Sequence, residues 1–155
     1  MIKLNRMTDY GAVVLSILAF QWRFEHGVSL SASDISARSG ISQASTAKIL
    51  KMLAAGGLVE ATRGKHGGYV LSSAPELVSV AAIIEALEGP IALTACVETS
   101  ADPCSSRQSC FLSGHWEKVN TAIGSALSAM TLADLIDPEH YFKPAHEQDL
   151  QPKHI

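Results

Sequence analysis

The spacing of apolar residues along the first third of the chain predicts three helices. Each follows a serine or threonine that can cap it: residues 9–22 after Thr8, a short helix after Ser31 or Ser33, and residues 43–55 after Ser42. Gly40 lies between the second and third of these helices and supplies a tight turn. The order of helix, turn and helix is that of a helix-turn-helix unit.

After Gly56 the pattern changes from a helical to a strand period. Residues 58–62 and 69–71 suit two strands, and the glycine-rich segment between them predicts a hairpin. Helices return at about residues 80–87 and 114–130, and the latter carries an apolar stripe of Trp116, Val119, Ile123, Leu127 and Met130. We therefore predict a mainly α fold with a small β-hairpin wing, a winged helix-turn-helix followed by a long dimerisation helix.

The same pattern divides the chain into three segments. We expect a DNA-binding domain over 1–75, a loop and long helix over 76–136, and a polar, flexible tail over 137–155. Hydrophobic residues make up 47% of the chain and charged ones 17%, as in folded proteins. We recognise no signal peptide and no run of the roughly 20 apolar residues that a membrane span needs, so we expect a cytoplasmic protein with no membrane partner.

The net charge of −3 argues against nucleic acid until the chain is divided. Residues 1–73 carry a net charge of +4, and residues 74–155 carry −7. A basic N-terminal half joined to an acidic C-terminal half favours contact of the first half alone with a polyanion.

The third predicted helix is the segment that suits the DNA major groove. Its short polar and basic side chains can reach base edges or phosphates: Ser42, Gln43, Ser45, Thr46 and Lys48. The hairpin would bring three basic residues to phosphates or the minor groove: Arg63, Lys65 and His66. Glycines 64, 67 and 68 would let the wing backbone approach the duplex. The alternative is a solvated hairpin on a small helical layer.

All three cysteines lie within residues 96–110, spaced Cys96-x7-Cys104-x5-Cys110. An odd number does not suit a disulfide framework, and the spacing is too long for a compact zinc site. Long loops between thiolates suit an iron–sulfur cluster, for which His115 or Glu98 would be a fourth ligand. Structural cysteines and a thiol redox switch remain alternatives. An enzyme is not expected, because no phosphate-binding loop and no nucleophile with a base and an orienting acid is present.

Three stretches resemble the Rrf-two family of winged-helix regulators, of the IscR and NsrR type. They are LNRMTDYGAVVL, GISQASTAKILKMLAAGGLVEATRGKHGGYVL, and the three cysteines followed by Trp116. The similarity is greatest to the SUF-system regulators of iron–sulfur assembly, and it spans residues 1–136. It implies a homodimer in which helix 114–130 packs against its mate, a bound iron–sulfur cluster, and a pseudo-palindromic operator in double-stranded DNA. The function it implies is control, as a repressor or otherwise, of iron–sulfur assembly genes; a cluster-free regulator controlled by thiols or a protein ligand is the alternative.

The resemblance also bears on the fourth ligand. The IscR subgroup has a His three residues after the third cysteine, where this chain has Ser113. The NsrR subgroup uses an Asp from the first helix of the other protomer, and Asp9 in TDYG matches that position. The resemblance thus favours Asp9 of the partner, with His115 as the alternative, and leaves open a two-iron or a four-iron cluster. Ala47 replaces an acidic base-reading residue of the IscR subgroup, so we expect a different operator.

Overall fold

The computed structural model describes residues 4–25, 28–62, 64, 67–106, 109–112 and 114–136. Its elements, in chain order, are α1 (Arg6–Phe24), α2 (Ala32–Ser39), α3 (Gln43–Ala55), β1 (Val59–Thr62), β2 (Gly68–Leu71), a 3₁₀ turn (Pro75–Leu77), α4 (Val80–Glu88), α5 (His115–Ala129) and α6 (Leu132–Leu135). This confirms the predicted helical fold with a small hairpin. The tail predicted over 137–155 lies outside the described residues.

The first helix begins earlier than the apolar pattern predicts. Its N-cap is Asn5, whose Oδ1 accepts a hydrogen bond from Met7 N at 3.2 Å. The prediction that Thr8 caps the helix was therefore wrong. Thr8 is buried within the first turn, and its hydroxyl donates to the Glu88 carboxylate at the end of α4. Glu88 also accepts from Asn5 N at 2.8 Å, so the same carboxylate contacts both the cap and the first turn of α1.

Local capping fixes the angle between α2 and α3. Ser31, not Ser33, caps α2, and it forms a reciprocal capping box with Asp34. Gly40 ends α2 in the left-handed conformation at φ 71°, which a residue with a side chain rarely adopts. Ser42 then caps α3 by accepting from Ser45 N. These contacts confirm the predicted helix-turn-helix.

The fourth helix packs against α1 and α3. A Cβ on Gly11 of α1 would lie 2.2 Å from Leu87 Cδ1, and one on Gly56 after α3 would lie 2.6 Å from Ala86 Cβ. Side chains at such distances would overlap, so an alanine at either position would require Leu87 or Ala86 to shift. The contacts join α4 firmly to the helix-turn-helix.

The hairpin has an additional neighbour. β1 and β2 pair antiparallel with Val59 opposite Leu71, and Leu30 forms an isolated bridge with Tyr69 through Leu30 N to Tyr69 O at 3.1 Å and Tyr69 N to Leu30 O at 2.8 Å. A Cβ on Gly68 would lie 2.6 Å from Leu30 O. Gly68 therefore allows this backbone approach within the fold, and its expected part in approach to the duplex stays a prediction.

The apolar stripe of α5 is largely uncovered in a single chain. Trp116, Val119 and Met130 are 44%, 42% and 46% exposed, while Ile123 and Leu127 are half-buried. After α5 the chain returns to the core, where Leu132 of α6 is fully buried. Within the described ranges, no helix has the length and apolar character to cross a membrane.

Candidate functional site

The exposed face of α3 differs in part from the one predicted. Thr46 is 0% exposed, and its hydroxyl donates to Ile41 O at 3.4 Å. It lies one turn before Ile49 and Leu50 on the buried stripe. The prediction that Thr46 faces DNA was therefore wrong, because position on the helix overrides the polarity of a threonine. Gln43 and Lys48 are exposed as expected.

One basic residue on this face was missed. Lys51 is exposed one turn after Lys48, and Ala44 and Ala47 lie exposed on the same side. Residues 44, 47, 48 and 51 have the spacing of a single helix face, and this spacing can be recognised in the sequence alone. The two alanines present little side chain, so the α3 backbone on this side is open to close approach by a ligand.

The hydroxyl groups of Ser42 and Ser45 differ in their hydrogen bonds. The Ser42 hydroxyl accepts from Ser45 N at 3.3 Å and donates to Ser45 Oγ at 2.9 Å. Its proton is thus used within the cap. Among the described residues the Ser45 hydroxyl proton has no acceptor, and Ser45 remains the better donor toward a base or phosphate. Ser42 acts mainly as the cap that begins α3.

Three predicted wing residues, Arg63, Lys65 and His66, lie outside the described residues. Between them Gly64 has φ 116°, and its carbonyl accepts from Gly67 N at 2.9 Å. The wing strands themselves are held by the β1–β2 ladder.

The segment between α4 and α5, residues 89–114, is the cysteine loop. Asn120 of α5, which is 6% exposed, fastens it. The Asn120 side chain accepts from Leu93 N at 3.0 Å and donates to Ile91 O at 3.0 Å. Glu117 one turn earlier accepts from Glu98 N at 3.1 Å. The loop is therefore attached to the first half of α5.

None of the three cysteines is in a disulfide, and each is half-buried. Cys104 N donates to Ala95 O at 2.8 Å, which places the Cys104 segment beside the one that carries Cys96. Three soft thiols on one anchored loop fit the donor chemistry of an iron–sulfur cluster. Across the described part of the chain, however, no three His, Cys, Asp or Glu residues are grouped to hold a metal ion. The thiols are suitable ligands for a cluster, but the described residues of a single chain do not form a complete ligand group.

Two of the candidates for a fourth ligand, His115 and Asp9, lie at helix starts. His115 is the first residue of α5 and is exposed. Asp9 is exposed in the first turn of α1, beside a surface cavity of about 480 Å³ that Arg6 and Glu88 also line. Neither is grouped with the cysteines in the described chain.

The helix-turn-helix, its hairpin wing and the helix that follows define a winged-helix transcription regulator. The sequence matches the model of the Rrf2 family, described as an iron-dependent transcriptional regulator, over residues 4–138. The chain belongs to this family, as the sequence predicted. Its relatives are transcription regulators, and the expectation that it is not an enzyme is confirmed.

Individual relatives carry two different names. The HTH-type transcriptional regulator IscR of Erwinia tasmaniensis is 27% identical over 144 residues, which cover 93% of this chain and 86% of that protein. The structure of T. potens IscR aligns with a TM-score of 0.59 at 28% identity, covering 91% of this chain and 97% of that one. CymR, the global cysteine regulator of B. subtilis, aligns with a TM-score of 0.64 at 29% identity, covering 87% and 96%.

Proposed function

We propose that this chain represses iron–sulfur assembly genes and senses cluster status through a cluster held by Cys96, Cys104 and Cys110. The observation that carries the proposal is the set of three free thiols on one loop, which begins where α4 ends. Membership of a family described as iron-dependent and the IscR relatives support it. When bound, the cluster supplies a centre that oxygen or nitric oxide can attack.

The exposed face of α3 is the proposed base-reading surface. In this proposal Gln43 and Ser45 meet base edges in the major groove, and the exposed Lys48 and Lys51 meet phosphates. The wing adds phosphate contacts through Arg63, Lys65 and His66.

A second copy of the chain is the proposed cover for the α5 stripe. Trp116 and Val119 are large apolar side chains exposed on α5, and Met130, also exposed, directly follows its last turn, which is typical of a helix that packs against a partner. In such a dimer, Asp9 of one protomer completes the ligand set of the other. The α3 helices of the two protomers then meet the half-sites of a pseudo-palindromic operator.

The proposed coupling between the cysteine loop and the DNA-binding helix α3 passes through α4. The cysteine loop starts at the end of α4, and α4 contacts α1 at Gly11 and the end of α3 at Gly56. A change in the arrangement of the loop therefore shifts the balance between two spacings of the paired α3 helices.

A cluster-free thiol regulator is the second candidate. It is favoured by the lack of a three-ligand group among the residues that the structure describes, and by the likeness to a cysteine regulator. Here oxidation of the half-buried thiols, rather than loss of iron, changes DNA affinity.

Single cysteine variants test the ligand set. Cys96→Ala, Cys104→Ala and Cys110→Ala, purified without oxygen, should each lose iron and sulfide and keep the helical circular dichroism of the wild type. Ser105→Ala in the same loop is the matched control and should keep both elements. Full iron occupancy in any cysteine variant removes that cysteine from the set.

Mixed dimers test the ligand from the partner. Asp9→Ala protomers are combined with protomers in which all three cysteines are Ala, so that each heterodimer has one complete site and one with no ligands. We expect about one cluster per heterodimer. A normal cluster spectrum and normal stability in the Asp9→Ala homodimer would contradict the assignment and favour His115.

A further inference from the structure

A side-chain hydrogen bond across the helix-turn-helix joins Ser33 of α2 to the first residue of α3. Gln43 is the first residue of α3, and its Nε2 donates to Ser33 Oγ on α2 at 3.1 Å. Both side chains are exposed. We propose that Ser33 is a positioning residue that holds the Gln43 amide toward an adenine in the major groove. The inference rests on the proposed function of α3.

The bond to Ser33 leaves one donor and one acceptor of the Gln43 amide free. A glutamine amide has two N–H donors and one carbonyl acceptor. Ser33 takes one donor, and among the described residues the second donor and Oε1 have no partner. One donor beside one acceptor is the pattern that pairs with N7 and the N6 amino group of adenine. The fixed amide thus presents the complement of a single base.

Ser33 is not needed for the fold of α2. The capping box of that helix uses Ser31 and Asp34, and Ser33 is exposed. The turn that sets α2 against α3 is held separately by Gly40 and by Ser36 Oγ donating to Ile41 O at 2.6 Å. The Ser33 hydroxyl therefore acts from a rigid helix, and its removal leaves the turn intact.

A fixed amide reads a base better than a free one. An exposed glutamine loses side-chain entropy when it is ordered on DNA, and a hydrogen bond already made in the free protein reduces that loss. The same bond limits the rotation of the amide, so that its free N–H donor and its Oε1 acceptor are presented side by side. We expect the effect on specificity to exceed the effect on total affinity.

Selection from a library of double-stranded DNA with 20 randomised base pairs tests the inference in full-length protein. Gln43→Ala should lose one adenine preference in each half-site, and Ser33→Ala should weaken the same preference roughly fivefold, the size of one neutral hydrogen bond. Ser33→Thr keeps the hydroxyl and should restore the preference. Ser125→Ala, on the exposed side of α5, is the control and should select the wild-type sequences. The double variant should match Gln43→Ala, since coupled residues are not additive.

A modified base separates positioning from a general effect on folding. With 7-deazaadenine at the selected position, N7 is lost as an acceptor, and wild-type affinity should fall several-fold while that of Ser33→Ala changes less. An unaltered adenine preference in Ser33→Ala, with the preference lost in Gln43→Ala, overturns the inference and leaves the proposed function standing. Unaltered selection by Gln43→Ala overturns base reading by Gln43 and the inference with it. Failure of the wild type to enrich any sequence overturns the proposed function itself.

Discussion

Replacing Asn120 with Ala should release the cysteine loop from α5 while the winged helix stays folded. The Asn120 side chain is 6% exposed and is the acceptor for Leu93 N and a donor to Ile91 O. Ile91 O keeps a second donor, the Thr99 hydroxyl at 2.8 Å, so the Leu93 amide suffers the larger loss. Leu93 is half-buried, so leaving its amide unpaired should cost about 1 kcal/mol, the low end of the range for a buried amide. A loss of about 1 kcal/mol corresponds to a roughly fivefold faster opening of the loop.

Amide hydrogen exchange at Leu93 measures that opening directly. Asn120→Asp keeps an oxygen acceptor for the Leu93 amide and should retain most of its protection. Thr121→Ala, next in sequence and exposed, controls for a general effect on α5. Core amides of α1 and α3 should exchange at the wild-type rate in every variant. Unchanged exchange at Leu93 in Asn120→Ala would refute the role of Asn120 as the anchor of the loop.

Three further predictions follow from individual contacts. Gly11→Ala should lower the free energy of unfolding by about 1–3 kcal/mol in urea denaturation, because its methyl group overlaps Leu87. The hydrogen bonds that Ser31 donates to Asp34 hold the pKa of that carboxyl below its usual 3.8, so in carboxyl-resolved NMR titration Ser31→Ala should raise the pKa toward 3.8. Because the folded-state pKa is lowered, the stabilisation is present above pH 3.8 and is lost as pH falls through the folded value. Lys51→Ala should weaken DNA binding at all sequences and reduce the salt slope by about one unit in titrations across salt.

Each of these has its own control. Gly124→Ala, where a Cβ meets nothing within 4 Å, should be neutral or stabilising, and equal destabilisation of both glycine variants would contradict the overlap at α4. A second capping box, Thr131 with Asp134, also lowers its acid's pKa and should titrate unchanged in Ser31→Ala. A wild-type salt slope in Lys51→Ala means that this lysine does not contact phosphate.

Most of the fold follows from features that are local in sequence. Apolar spacing and caps gave α2 and α3, and the hairpin followed from two short strands around glycines. The start of α1 was missed because the choice between Asn5 and Thr8 depends on Glu88, which is distant in sequence. The close approach of Leu30 to Gly68 was missed for the same reason, since the two residues are distant in sequence.

The sequence predicted which types of residue form the candidate site better than it predicted where they lie in the fold. Thr46 was misplaced because its polarity was weighed above its position on the buried stripe, and Lys51 was missed although its spacing from Lys48 marked the face. The three cysteines were identified by chemistry alone. Their grouping is set by how the loop is held and by what covers it, which spacing along the chain does not determine.

DNA affinity measured with and without the cluster tests the central claim most directly. Protein purified without oxygen is divided into an untreated sample and a sample stripped of iron by a chelator, and both are titrated at one salt concentration with DNA selected by the wild type. We predict a brown protein with visible charge-transfer bands, containing iron and sulfide, whose DNA affinity changes at least roughly fivefold on stripping. A colourless protein without iron or sulfide, whose DNA affinity changes only with thiol oxidation, would contradict it.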